Sequence, residues 1–91
     1  MYRVVLACEG VPVEQGAGAA ADIQNEFRRH RTWHHNVTCI WDGRLLVLTA
    51  ENDYDPQGLA LLDEFSDTIS AYISGGFDGG IRVVSTARHE P

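Results

Sequence analysis

The chain of 91 residues contains no lysine, and all seven of its basic residues are arginines. Without a lysine amine, the side chains cannot form a Schiff base with a cofactor, and the phosphate-binding lysine of a P-loop is missing. Thirteen acidic residues outnumber the arginines and give a formal net charge of −6. Because binding along a phosphate backbone requires an extended basic surface, we expect no nucleic-acid partner.

Long apolar runs are missing as well, since none approaches the roughly 18 residues of a membrane-spanning helix. The first residues, from Met1 to Val4, resemble a strand rather than a signal peptide. We therefore expect a cytoplasmic protein without a membrane partner.

Cysteine is equally scarce, and the two residues, Cys8 and Cys39, do not form a CxxC motif. They fall on predicted strands that are not neighbours, roughly 9–10 Å apart, so we expect no disulfide. We also expect no resident metal or cofactor.

Strand and helix patterns alternate along the chain. Hydrophobic residues make up 44% of it, which is typical of a globular domain. We expect one domain over residues 1–91, with a polar tail from about residue 86. Short β-branched runs predict strands at residues 2–8, 34–41, 44–50 and 81–85. Apolar residues recur at steps of three and four over residues 13–31, which predicts a first helix. The same spacing predicts a second helix, with Asp55 as its N-cap and Pro56 as its first residue, that ends at the pair Gly75 and Gly76.

These patterns also predict which side chains face the core. In the two helices the apolar faces consist of Ala17, Ala20, Ile23, Phe27 and His30, and of Leu59, Leu62, Phe65, Ile69, Tyr72 and Ile73. Asp42 and Gly43 predict a two-residue hairpin turn that pairs Trp41 with Arg44. This register places His35, Val37, Cys39 and Trp41 on the helix-covered face.

The element order β-α-β-β-α-β predicts a two-layer α+β fold of the split βαβ, or ferredoxin-like, kind. Right-handed crossovers then give an antiparallel sheet with strand order 4-1-3-2 and both helices on one face. The opposite face carries Val5, Ile40, Leu45 and Val47, where a solvated face would alternate to polar residues. We expect these residues to form the interface of a homodimer.

Residues 28–35 form the one basic segment of the chain. Arg28, Arg31, Trp33 and His34 are candidates for binding an anion or an acidic protein. The alternative is structural, because positive charge stabilises the C-terminal end of a helix. A metal site built on His30, His34 and Glu26 is disfavoured by the neighbouring arginines.

No nucleophile and base stand together in a catalytic motif, and His35 beside Glu51 is the remaining candidate for a general base. We therefore favour a small, non-enzymatic, homodimeric binding or regulatory domain with a basic rim at residues 28–35. The first alternative is a dimeric α+β-barrel enzyme with a cavity between helices and sheet that uses His35, Trp41 and Tyr72. The second is an immunity-type inhibitor. A filled core would favour binding, and an enclosed pocket would favour catalysis.

Overall fold

The computed structural model describes residues 1–74 and 79–88 of the chain. The elements in chain order are β1 (Tyr2–Cys8), α1 (Val13–His30), β2 (His35–Trp41), β3 (Leu46–Asn52), α2 (Leu59–Tyr72) and β4 (Ile81–Arg88). The four strands form one antiparallel sheet in the order β2-β3-β1-β4, which is the predicted order read from the other edge. The predicted ferredoxin-like α+β fold is confirmed. No helix in the described ranges is long and apolar enough to cross a membrane.

The core lies between the sheet and the two helices. Phe27 of α1 and Phe65 of α2 are fully buried against strand residues such as Leu6 and Leu48. Each such side chain contributes roughly 1.5–3 kcal/mol through burial. Cys8 and Cys39 are both free and buried, in agreement with the predicted strand order.

The β2–β3 hairpin turns where the sequence predicts, but its loop is two residues longer at the β3 side. Trp41 pairs with Leu46, not with Arg44. The Asp42 carboxylate accepts hydrogen bonds from the backbone N–H groups of Leu45, at 2.6 Å, and Arg44, at 2.8 Å, and these bonds lower its pKa. A register shift of two residues preserves the side-chain alternation, so the assignment of β3 residues to the two faces survives.

A bulge at the start of β2 changes the position of His35. Asn36 has a φ of 51°, and the ladder register shifts between His35 and Thr38. Because the bulge inserts one extra residue into β2, the alternation of side chains between the two faces of the sheet shifts by one. The His35 side chain therefore lies on the face opposite to the predicted one. The prediction that His35 faces the helices is therefore wrong. It lies opposite Glu51 and is exposed on the uncovered side, whereas Val37 is buried as predicted.

Helix α2 begins at Leu59, three residues later than predicted. Gly58 precedes it with a φ of 77°, and a Cβ there would lie 2.7 Å from Cγ1 of Val4. Asp55 still caps the helix, although from a distance, because its carboxylate accepts hydrogen bonds from the N–H groups of Ala60 and Leu61.

The structure also differs from the sequence prediction at other element boundaries and helix faces. Four residues that the sequence pattern assigns to the buried helix faces are exposed: Ala17, His30, Leu59 and Tyr72. In α1, Gly16 is buried instead. Strand β4 continues to Arg88, so the predicted polar tail is wrong for residues 86–88. Helix α2 ends at Tyr72, and the pair Gly75 and Gly76 lies outside the described residues.

Candidate functional site

Three residues of the predicted basic rim converge on one carboxylate of α2. Glu64 accepts hydrogen bonds from Nη1 of Arg31 at 3.5 Å and Nε1 of Trp33 at 3.1 Å, and its second oxygen lies 2.5 Å from Nε2 of His34. We call this group, together with Tyr54, the aromatic rim. The positive charge predicted for residues 28–35 is therefore partly neutralised by Glu64.

The hydrogen bonds of His34 define its tautomer. Oδ1 of Asn52 accepts the N–H groups of Tyr54 and Asp55, which fixes the orientation of the amide. Its Nδ2 group must then donate to Nδ1 of His34, 3.3 Å away. This arrangement assigns the proton of His34 to Nε2, directed at Glu64. Because the side chain is fully buried and both ring nitrogens are used, it does not serve as an exposed base.

Two aromatic rings of the rim face the solvent. Trp33 is 47% exposed and Tyr54 is 49% exposed. The centroids of the Trp33 and Tyr54 rings lie 5.9 Å and 6.1 Å from that of the His34 ring. Burial and the nearby Glu64 carboxylate raise the pKa of Tyr54, so its hydroxyl stays protonated as a hydrogen-bond donor at neutral pH. The rim thus presents two exposed aromatic rings with polar tips.

Arg28, the fourth predicted ligand-binding residue, does not join this group. Its Nε and Nη2 atoms donate to the carbonyl of Val37, at 3.1 Å and 2.9 Å. One turn earlier on α1, Gln24 accepts the N–H of Cys39. Both side chains therefore hold α1 against the outer edge of β2.

The residues of the proposed enzyme cavity do not meet. His35 is exposed on the uncovered side of the sheet, and Trp41 is half-buried against the core. Tyr72 is exposed on α2, where its hydroxyl donates to Glu26 at 3.1 Å. That bond is the largest cause of the raised pKa of Tyr72. His35 does lie opposite Glu51, as considered for a general base, but not in a cavity shared with Trp41 and Tyr72.

The uncovered face of the sheet, which we call the open face, has a partly exposed apolar centre. Ile40 is 58% exposed and lies opposite Val47 in the ladder, while Val5 on β1 is half-buried. Leu45 is also half-buried, in the hairpin loop. Among the predicted interface residues, Ile40 therefore offers the largest exposed fraction.

A small open cleft of about 120 Å³ lies on the helix layer. Its lining is polar and comprises Asp22, Asn25, Glu26, Arg29, His30 and Tyr72. Within residues 1–74 and 79–88, no three His, Cys, Asp or Glu side chains are grouped so as to hold a metal ion. The alternative metal ligands are separately engaged, with His34 on Glu64 and Glu26 on Tyr72.

Sequence reasoning missed Glu64, Tyr54 and Asn52. One signal was present for Glu64, which follows the buried Leu61 by three residues and precedes the buried Thr68 by four. A carboxylate at the border of a buried helix stripe requires a partner. The identity of that partner depends on a contact 30 residues away, which the sequence pattern does not encode.

Comparison with protein-family models, curated proteins and solved structures finds no match. The function is therefore argued from the residues of the chain itself.

Proposed function

We propose that the chain is a non-enzymatic binding domain that recruits a protein partner through the aromatic rim and acts as a homodimer joined through the open face. The observation that carries the binding role is the arrangement around Glu64, whose carboxylate engages Arg31, Trp33 and His34 together.

The composition of the rim favours a protein partner. Energetically dominant interface residues are enriched in Trp, Tyr and Arg, and rigid side chains lose little conformational entropy on binding. Trp33 and Tyr54 are exposed, and the hydrogen bond to Glu64 restrains Trp33 before any partner arrives. A small anion is disfavoured because it would meet the Glu64 carboxylate at the centre of the rim.

The open face supports the homodimer. Its apolar residues include Val5, Ile40 and Val47, and partly exposed apolar patches of this kind commonly mark interfaces. A two-fold axis would bring the same patch together with itself, as in most small homodimers. The enzyme alternative receives no such support, since His35, Trp41 and Tyr72 lie apart.

The dimer is tested by light scattering after size exclusion. We expect the wild-type mass to be that of two chains and Ile40→Glu to give one chain, because the substitution would bury an unpaired carboxylate of each chain in the proposed interface. Leu59→Glu is the matched control, since Leu59 is 56% exposed and lies on the helix layer. A monomeric wild type at all concentrations, or a dimeric Ile40→Glu variant, contradicts this part of the proposal.

The rim is tested by quantitative capture from native extract. Proteins that bind wild type but not Trp33→Ala are the expected partners. Tyr72→Ala is the matched control, because Tyr72 is another exposed aromatic residue, 38% exposed, on a different part of the helix layer. Identical captured proteins for wild type and Trp33→Ala would contradict the role of the rim.

A further inference from the structure

The two edges of the sheet differ in how their backbone groups are covered. At the β2 edge, Gln24 accepts the N–H of Cys39 at 3.0 Å, and Arg28 donates twice to the carbonyl of Val37. Side chains of α1 therefore occupy the centre of this edge. An added strand could pair there only by displacing both side chains.

The β4 edge has no such cover in the described part of the chain. Strand β4 pairs with β1 on one side, and it is the last strand of the sheet on the other. Among residues 1–74 and 79–88, no hydrogen bond from another element reaches the outward backbone groups of residues 82–87. An edge of this length with free N–H and C=O groups is a template for an additional strand.

The side chains of β4 have different character on its two sides. Toward the helices, Ile81 and Val83 are apolar and pack against the core. On the open side, Arg82 lies opposite Ala7, is 56% exposed and forms a 3.9 Å ion pair with Glu9, which is 64% exposed. Exposed ion pairs contribute little to stability, so a carboxylate of a partner can compete with Glu9 for Arg82. Arg3 of β1 lies on the same side, where it forms a 3.7 Å ion pair with Glu51, and no residue from 81 to 88 is acidic. The edge therefore favours a strand that is apolar on one side and acidic on the other.

We propose that the β4 edge binds an extended acidic segment of a protein partner as a fifth strand of the sheet. Backbone hydrogen bonds supply affinity, and alternate side chains supply specificity. Carboxylates of the segment lie on the open side near Arg82, and its apolar residues lie beside Ile81 and Val83.

A second copy of β4 fits this edge less well than such a segment. Self-pairing would join two strands that each carry Arg82 and no acidic residue. The register of β4 also shifts opposite Val5 and Leu6, which leaves Val84 as an extra residue and bends the strand. A flexible segment can follow this bend, whereas two bent strands would have to match each other.

The probe for this site is a synthetic peptide of alternating glutamate and valine, titrated into the ¹⁵N-labelled full chain. We expect the amide resonances of residues 82–87 to shift and their hydrogen exchange to slow. Arg82→Glu should weaken binding on the order of tenfold, because a like charge then faces the carboxylates. Arg29→Glu, the same charge change on the helix layer, should leave the affinity within about twofold.

A peptide of the same sequence with alternate backbone amides N-methylated is the second control. It keeps every charge but cannot complete the strand ladder, so it should not bind. Equal binding of this peptide would overturn the proposal, as would perturbation confined to residues outside β4. Concentration-dependent protection of the β4 amides without peptide would assign the edge to a second copy and would also overturn it. The same titration with Ile40→Glu shows whether the edge works independently of the proposed dimer, since β4 binding does not rest on it.

Discussion

Replacing Glu64 by alanine tests the central interaction of the aromatic rim. The His34 side chain is fully buried, so the substitution leaves its Nε2 proton without an acceptor. An unsatisfied buried donor costs about 1–3 kcal/mol, and each of the more exposed bonds to Arg31 and Trp33 contributes about 0.5 kcal/mol. The free energy of unfolding should therefore fall by about 3 kcal/mol, out of the roughly 5–15 kcal/mol that is usual for a domain.

Urea titration followed by far-UV circular dichroism measures this loss. Asp63→Ala is the matched control, because it removes a neighbouring, exposed carboxylate of α2 and should change the stability by less than about 0.5 kcal/mol. A loss below about 1 kcal/mol for Glu64→Ala, or equal losses for the two variants, would refute the reasoning.

Nitrogen-15 NMR of the imidazole tests the same network independently. The orientation of Asn52 predicts that His34 carries its proton on Nε2 and accepts at Nδ1. Chemical shifts that place the proton on Nδ1 would show that the hydrogen-bond assignment is wrong.

Two further predictions concern α1 and the thiols. A Cβ at Gly16 would overlap the indole ring of Trp41, whereas nothing lies within 4 Å of one at Gly18. Gly16→Ala should therefore destabilise the chain by about 1–3 kcal/mol and Gly18→Ala should stabilise it by up to about 1 kcal/mol, and urea titrations that move both in one direction would contradict this. Burial raises the pKa of Cys8 to about 11 and that of Cys39 to about 12, so both thiols stay protonated at neutral pH and should react with a disulfide reagent only after unfolding. Rapid labelling of the native chain at pH 7 would contradict this second prediction.

The fold was accessible from the sequence because its signals are local. The apolar periodicity of the helices and the turn at Asp42 and Gly43 indicate the element order, from which right-handed crossovers give the strand order. The longer hairpin loop did not disturb the face assignment, since a shift of two residues preserves alternation. The bulge did disturb it, because Asn36 tolerates a positive φ but nothing in the pattern requires one.

The site was only partly predictable. The sequence singled out Arg31, Trp33 and His34 by their clustering, and they do lie together. Their shared partner could not be identified, because Glu64 approaches them only after α2 has packed beside the end of α1. The position of Arg28 could not be predicted either, because its side chain binds a backbone carbonyl at the β2 edge, which no side-chain pattern indicates.

The unequal sheet edges have a consequence for assembly size. A sheet with two open edges can gain a strand on each side, and repeated pairing of such units produces fibres. Here Gln24 and Arg28 cover the centre of the β2 edge, so a strand can be added on that side only by displacing both side chains. Strand addition at both sides of the sheet is therefore disfavoured, and the proposed segment would bind at the β4 side alone.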